Sequence, residues 1–202
     1  MLTDNLDILL INIPISGLQY PPAGTSQLKG SVVDAGFTCT ILDLNLDLFN
    51  KTGSDYSKFF DYFSEATHGD PEIDARVDQI LDSWVDDIIK INPRFVGISV
   101  FTMMCQLATR MFTKKLKQKY TGKIVIGGAG ISTNGIASAY NDFGAEMREF
   151  GIEGESVAYN HDKWLQVDGL VNLLAQAYGW HERFSHEPYS DAVVTINEEP
   201  PF

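Results

Sequence analysis

The chain has 202 residues, of which 44% are hydrophobic and 21% charged, and its 27 acidic and 15 basic residues give a formal net charge of -12. This length and composition fit one folded domain with an appendage and argue against wholesale disorder. The negative charge argues against nucleic-acid binding. Because there is also no apolar run of roughly 20 residues and no basic N-terminal signal, we predict a cytoplasmic protein without membrane contact.

The first third of the chain predicts a β-α-β unit. Residues 6–14 form a nearly continuous apolar run, which is typical of a strand covered on both faces. Residues 23–36 favour a helix that ends at Gly36, where a C-terminal capping glycine belongs. Residues 37–46 are rich in apolar and β-branched side chains and predict the second strand.

The middle of the chain continues this alternation. Residues 55–63 predict a short helix before the breaker sequence HGDP. From Pro71 to an Asn-Pro pair, apolar side chains recur at three- and four-residue steps, which predicts a long amphipathic helix. Residues 94–101 predict a third strand, and the apolar residues from 104 to 116 predict the helix after it.

The remaining elements complete a five-stranded pattern. Residues 123–128 predict a fourth strand, residues 132–144 a short helix, and residues 146–152 a weaker fifth strand. The β-α alternation predicts an α/β fold, a Rossmann-like (flavodoxin-like) doubly wound, mostly parallel sheet with helices on both faces. Ligands bind such sheets outside the carboxyl ends of the strands, where the strand order reverses.

The loops that follow the predicted strands differ from ordinary connections. They read PISGLQYPPAG, SVFTMM, GGAGIST and EGES, and two of them lack bulky side chains, which favours a cleft for a flat or extended ligand. A phosphate site is weakly indicated, because the first loop has no G-x-G-x-x-G pattern and the chain has no P-loop. GGAG is equally typical of a tight turn whose glycines allow close packing.

The order of these segments resembles a known family. The stretches YPPAGTSQLKGSVVDAGFTCTILDLN, NPRFVGISVFTMMCQLATRMFTKKLKQKY, KIVIGGAGIST and GIEGES are together similar to the N-terminal cobalamin-binding domain of cobalamin-dependent radical S-adenosylmethionine (SAM) enzymes. The resemblance spans residues 5–159. It implies that cobalamin, a cobalt cofactor, lies base-off on the carboxyl edge of the sheet with its nucleotide tail in a slot beside the strands.

The resemblance also implies which residues contact the cofactor. PPAG would lie near the corrin or its amide arms, the hydroxyls of SVFT near the buried tail, and the small residues of GGAG would let the dimethylbenzimidazole approach the backbone. The predicted cofactor-binding residues are Pro14, Ser16, Gly17, Pro21, Pro22, Gly24, Ser99, Phe101, Thr102, Gly127, Gly128, Ala129, Gly130, Gly154 and Glu155.

The sequence departs from related cobalamin proteins at three places, one of which is that the family's usual GEGE appears only as IEGES around Gly154 and Glu155. The first loop contains no histidine, which excludes a lower cobalt ligand of the D-x-H-x-x-G type from that loop. The two cysteines, Cys39 and Cys105, are too far apart for the C-x-x-x-C-x-x-C motif that binds the iron-sulfur cluster of a radical SAM domain. An iron-sulfur cluster, SAM and methyl transfer are therefore implied only with a radical SAM domain supplied in cis or in trans.

The expected organisation follows from this resemblance. Residues 1–159 form the cobalamin-binding domain, and residues 160–202 form an extension with an accessory helix and a linker towards a radical SAM domain that this chain lacks. A freestanding cobalamin carrier is the alternative. A hypothesis from another class is a flavodoxin-like interaction or regulatory module that does not bind cobalamin.

Several candidate residues also have ordinary structural interpretations. Ser99 and Thr102 can cap the following helix, and Met103, Met104 and Met111 are typical of core filling. Both cysteines lie in apolar stretches and predict buried thiols rather than a disulfide. The four histidines at 68, 161, 181 and 186 have no metal-ligand spacing and predict surface positions.

Overall fold

Four strands of five residues and a fifth of two residues form one parallel sheet in the computed structural model. The structure describes residues 6–19, 21–65, 70–128 and 130, and the backbone of residues 153–154. The strands are β1 (Ile8–Asn12), β2 (Cys39–Asp43), β3 (Phe95–Ser99), β4 (Lys123–Gly127) and β5 (Glu153–Gly154). The helices are α1 (Ala23–Asp34), α2 (Leu44–Thr52), α3 (Tyr56–Glu65), α4 (Pro71–Ile91) and α5 (Gln106–Lys119), with 3-10 turns at Gly53–Asp55 and Met103–Cys105.

The strand order β2-β1-β3-β4-β5 confirms the predicted doubly wound fold. Every neighbouring pair of strands is parallel. The chain winds from β1 to β2 in one direction and to β3 in the other, so the order reverses between β1 and β3. This reversal places the expected ligand site outside the carboxyl ends of β1 and β3.

Helices cover both faces of the sheet, as predicted. Leu9 and Ile11 of β1 pack in a large buried cluster with side chains from α2, α3, α4 and α5. Ile8 and Leu10 point to the opposite face and pack in a smaller cluster with Val32 of α1. Because both sets are at most 2% exposed, β1 is buried on both faces, which explains its continuous apolar sequence.

The long helix α4 begins and ends at the residues that its sequence predicts. The Asp70 carboxylate accepts hydrogen bonds from the backbone N–H groups of Glu72 and Ile73, and Pro71 occupies the first turn. At the other end Asn92 adopts a left-handed conformation with φ 49°, and Pro93 follows. The predicted helix from Pro71 to the Asn-Pro pair is therefore confirmed.

The end of the second predicted strand was placed too late. β2 ends at Asp43, and α2 begins at the next residue, whereas the sequence predicted a strand through residue 46. The Asp43 carboxylate accepts hydrogen bonds from the N–H groups of Asn45 and Leu46, and so turns the chain into the helix. The alternation in LDLNL resembles a strand, but Asp43 acts as a helix cap.

The last predicted elements lie largely outside the described residues. This holds for the helix at 132–144 and the strand at 146–152. The observed fifth strand pairs Glu153 and Gly154 with β4, directly after the predicted segment. Within the part of the chain that the structure describes, no helix combines the length and apolar character that a bilayer span needs.

Candidate functional site

One row of residues ends the four long strands at the carboxyl edge of the sheet. In register across β2, β1, β3 and β4 these are Asp43, Asn12, Ser99 and Gly127. Residues paired in register point to the same face of the sheet, so these four side chains lie side by side. Along the row their size decreases, from the carboxylate of Asp43 and the amide of Asn12 to the hydroxyl of Ser99 and the hydrogen of Gly127. The row brings together Ser99 and Gly127, two of the predicted site residues, and adds Asn12 and Asp43.

Gly127 is the position where the missing side chain leaves space open. Among the described residues, none apart from its chain neighbours has an atom within 4 Å of a Cβ built on Gly127, and Gly127 is half-buried at the end of β4. Its carbonyl oxygen accepts a hydrogen bond from the N–H of Val100 at 2.7 Å, so the backbone is fixed there. A ligand could therefore approach the rigid end of β4 closely at this point.

The next glycines lack side chains for a different reason. A Cβ on Gly128, which has φ +116°, would lie 2.5 Å from the carbonyl oxygen of Val100. A Cβ on Gly130 would lie 2.4 Å from the carbonyl oxygen of Thr102, and the Gly130 N–H donates to Val100 at 2.8 Å. Gly128 and Gly130 thus allow the β3 and β4 loops to pack together, as the tight-turn interpretation predicts.

The loop after β3 presents apolar side chains to solvent. Val100 is buried, but Phe101 is 62% exposed, Met103 48% and Met104 41%. The prediction that Met103 and Met104 fill the core is therefore wrong, because the 3-10 turn at Met103–Cys105 buries only its cysteine. Met111 packs against the large cluster, in line with its prediction. The reversal point is consequently flanked by an exposed apolar surface.

Thr102 and Cys105 connect this loop to its neighbour. Thr102 occupies the N-cap position of the 3-10 turn, but its side chain makes no capping hydrogen bond, and its Oγ1 lies 3.7 Å from Cys105 Sγ. The buried Cys105 thiol donates to the carbonyl oxygen of Ile15 at 3.1 Å, and so joins the β1 and β3 loops. Both cysteines are free and buried, which confirms the prediction of buried thiols.

The loop after β1 changes from buried to exposed along its length. Pro14 is buried, Ser16 is half-buried, and Gly17 is exposed with no atom within 4 Å of a built Cβ. The Ser16 carbonyl accepts a hydrogen bond of 2.8 Å from Nδ2 of the buried Asn45 in α2. This contact holds the middle of the loop against the neighbouring element.

The predicted proline-glycine segment forms the start of α1. Pro21 is exposed, and Pro22 is the half-buried N-cap residue, whose carbonyl accepts hydrogen bonds from the hydroxyls of Thr25 and Ser26. Gly24 lies exposed in the first turn, with open space around a built Cβ. The N-terminus of α1 has no side-chain cap. Its first amides are therefore available at the same edge of the sheet.

The structure gives little about three of the predicted site residues. Ala129 and Glu155 lie outside the described residues, and Gly154 is described only as part of β5. All four histidines also lie outside the described residues, so none of the described positions tests their predicted surface location.

Among the described residues, the titratable groups near this edge do not form a metal centre. Within the described ranges there is no group of three or more His, Cys, Asp or Glu side chains that could hold a metal ion. Burial and then the charge of Asp43 raise the pKa of Tyr56, which keeps its hydroxyl a hydrogen-bond donor. Cys39, whose pKa burial raises to about 11 although Lys29 lowers it, begins β2 at the opposite end of the strand.

Sequence reasoning missed the polar residues of β1, β2 and α2 at this edge. Asn12 is 4% exposed and Asn45 2% exposed, and both amides bond to the site loop. The available signal was the polar residue at the end of each apolar strand: Asn12 ends the run ILLIN, and Asp43 ends CTILD. A polar side chain that ends a buried parallel strand points to the ligand-binding edge.

Comparison with known proteins supports the fold. No family model matches the chain, and no curated protein matches its sequence. A solved structure of the radical S-adenosylmethionine methyltransferase TsrM from Kitasatospora setae, with cobalamin and a [4Fe-4S] cluster bound, is similar over 86% of this chain, with 17% sequence identity and a TM-score of 0.50. The match covers 25% of the TsrM chain, so this protein spans about a quarter of its length.

Two further solved structures match at lower scores. TsrM with tryptophan substrate and a SAM analogue bound matches over 85% of this chain and 26% of its own, with 18% identity and a TM-score of 0.48. A cobalamin-binding protein from Desulfitobacterium hafniense DCB-2 matches over 85% of this chain and 59% of its own, with 14% identity and a TM-score of 0.45. The first TsrM structure, with a TM-score of 0.50, shows a shared fold, in agreement with the predicted resemblance.

Proposed function

We propose that this chain binds cobalamin at the carboxyl edge of its sheet, base-off, as the cofactor-holding domain of a cobalamin-dependent radical SAM enzyme. The observation that carries the proposal is the open space at Gly127, beside Ser99 and the reversal point of the strand order. The similarly folded TsrM structure has cobalamin bound, which supports cobalamin as the ligand.

The chemistry of the edge suits a corrinoid. A corrin is a broad, flat macrocycle with peripheral amides, and ligand sites for such molecules combine apolar surface with a few polar groups. Phe101, Met103 and Met104 supply exposed apolar surface, and the hydroxyls of Ser16 and Thr102 supply hydrogen-bonding groups. Gly127 permits close approach of the nucleotide tail to β4.

The proposed site takes no histidine ligand from the first loop. None of the described residues is a histidine, and the first loop contains none in its sequence. When bound, cobalamin supplies a cobalt centre that can carry a methyl group. The protein's part is to bind the corrinoid, to exclude water with its apolar loop and to leave one cobalt face towards a partner domain.

The proposed domain organisation follows the resemblance. Residues 1–159 bind the cofactor, and residues 160–202 lead towards a radical SAM domain that acts in cis or in trans. The iron-sulfur cluster, SAM and methyl transfer belong to that domain, and TsrM, of which this chain matches 25%, is a methyltransferase.

A Gly127→Phe variant tests the position of the site. The ring would extend into space that is now open, so the chain should fold while its affinity for hydroxocobalamin falls about 10-fold or more, because the tail and the ring compete for one volume. The matched control is Gly30→Phe, since Gly30 is exposed in α1 and also has no atom within 4 Å of a built Cβ.

The readout is the change in the visible absorption spectrum during titration, with circular dichroism to confirm the fold. If Gly127→Phe and the control bind hydroxocobalamin with equal affinity, Gly127 is not part of the binding site. If neither variant nor the wild-type chain binds cobalamin, the interaction module becomes the better hypothesis. The exposed Phe101, Met103 and Met104 would then serve a protein partner.

A further inference from the structure

Asn45 contacts the main chain of the site loop through both polar atoms of its amide. Its Nδ2 donates to the Ser16 carbonyl at 2.8 Å. Its Oδ1 accepts a hydrogen bond from the Ser16 N–H, with 3.4 Å between the nitrogen and the oxygen. The Tyr56 hydroxyl of α3 donates to the same Oδ1 at 3.2 Å. Asn45 is 2% exposed, so its amide is shielded from water, although Ser16 and Tyr56 are half-buried.

The element that carries Asn45 is itself fixed at the sheet edge. Asn45 is the second residue of α2, and the Asp43 Oδ1 atom accepts from the Asn45 and Leu46 N–H groups at 3.1 and 3.0 Å. The same Oδ1 accepts from Asn12 Nδ2 at 3.0 Å. The position of Asn45 relative to β1 is therefore set by the end of β2.

The loop that Asn45 holds needs such a contact. Ser16 is followed by Gly17, which is exposed and has no atom within 4 Å of a built Cβ, and then by the exposed Leu18. Glycine admits many backbone conformations, so the neighbouring contacts must determine the path of this segment. In the described part of the chain, the other side-chain hydrogen bond of Ser16 is one of 3.4 Å from Asn12 Nδ2 to its Oγ.

A carboxamide can pair in this way with both the N–H and the C=O of one residue. It offers a donor and an acceptor side by side, whereas a carboxylate only accepts and an aliphatic side chain does neither. An Asp at this position would keep the bonds from Ser16 N–H and Tyr56 but would face the Ser16 carbonyl with a second acceptor. The chemistry at position 45 is thus specific.

We infer that Asn45 is a positioning residue, which sets the β1 loop for ligand binding without touching the ligand. This inference rests on the proposed function, because the loop from Pro14 to Gly17 is part of the proposed cobalamin site. Because Asn45 holds Ser16 in one place before the ligand binds, binding does not carry the entropic cost of ordering this loop. Loss of the amide should therefore weaken binding and loosen this loop locally.

The test compares Asn45→Ala with Asn50→Ala, since Asn50 lies exposed on the same helix. Hydrogen exchange across residues 13–19, the dissociation constant for hydroxocobalamin and the urea unfolding midpoint are measured for both. We expect Asn45→Ala to exchange faster in this segment and to bind about 10-fold more weakly under conditions where it is fully folded. The Asn50→Ala variant should match the wild-type chain.

The further variants separate positioning from general stability. Asn45→Asp keeps an acceptor oxygen but replaces the Nδ2 donor with a second acceptor and adds a negative charge, and we expect faster exchange and weaker binding, as for Asn45→Ala. Tyr56→Phe keeps both bonds to Ser16 and should retain most of the affinity. A lower urea midpoint for Asn45→Ala with unchanged exchange and affinity would overturn the inference.

Failure of the two proposals can be told apart. If the wild-type chain does not bind cobalamin, the proposed function and the role of Asn45 in cofactor binding both fail. In that case, faster exchange in Asn45→Ala would show a structural contact between α2 and the loop. If the wild-type chain binds and both Asn45 variants bind equally well, only the positioning role is wrong.

Discussion

Gly127 and Gly128 are adjacent and chemically identical, yet the structure gives them opposite roles. Gly127 leaves open space, whereas Gly128 has φ +116° and would place a Cβ 2.5 Å from the Val100 carbonyl. We expect Gly128→Ala to lower the free energy of unfolding by about 2 kcal/mol or more, because a side chain is strained at this φ and must displace backbone. Gly127→Ala should change it by less than about 1 kcal/mol.

Urea denaturation of both variants measures this difference. The comparison is controlled internally, because the two substitutions add the same methyl group to consecutive residues. Equal losses of stability would contradict the close packing of the β3 and β4 loops. The sequence showed that this turn lacks side chains, but it could not show which glycine faces the chain and which faces open space.

The exposure of Met103 and Met104 also could not be predicted from their residue types alone. Met103 and Met104 have the composition of core residues, but the 3-10 turn after β3 directs them outward and buries Cys105 instead. A turn of three residues has no apolar period long enough to assign its faces. The apolar surface beside the reversal point therefore became visible only in the structure.

Asp43 shows how one side chain determines where an element ends. Its Oδ1 caps α2 through the N–H groups of Asn45 and Leu46 and also accepts from Asn12. We expect Asp43→Ala to lower the free energy of unfolding by about 1–2 kcal/mol, the usual effect of losing an N-cap. Asp43→Asn, which keeps an acceptor oxygen, should retain most of this stability.

Thermal or urea unfolding checks this prediction, with Asp61→Ala on the exposed surface of α3 as the control for removing a negative charge. If Asp43→Ala is no less stable than the control, the cap contributes nothing. The sequence predicted a strand across this boundary because residues 37–46 are rich in apolar and β-branched side chains, and the alternation in LDLNL does not show where the strand ends. A capping aspartate inside such a pattern cannot be distinguished from a strand residue by periodicity.

Elements with longer patterns were predicted better. The apolar run of β1 and the 21-residue amphipathic helix α4 appear where the sequence places them, since both patterns extend over the whole element. The alternation of strands and helices also predicted the parallel sheet. Composition could not give the strand order, because the pairing of β1 with β3 joins residues far apart in the chain.

The protein combines a widespread α/β architecture with its own set of residues at the carboxyl edge of the sheet. Its strand order puts the reversal between β1 and β3, and the predicted Ser16, Ser99, Phe101 and Gly127 come from the loops and strand ends around it. The fold alone is shared by proteins with many functions, so the site must distinguish among them. The central claim is that this edge binds a corrinoid.

The most direct test is a titration of the wild-type chain with hydroxocobalamin, followed by ultraviolet-visible spectroscopy and gel filtration. Our account predicts that cobalamin co-elutes with the protein in stoichiometric amount and has the spectrum of the base-off form, since its tail enters the protein. An absence of co-eluting cobalamin, even with the ligand in large excess, would contradict the account. A base-on spectrum in the bound complex would contradict the proposed position of the tail.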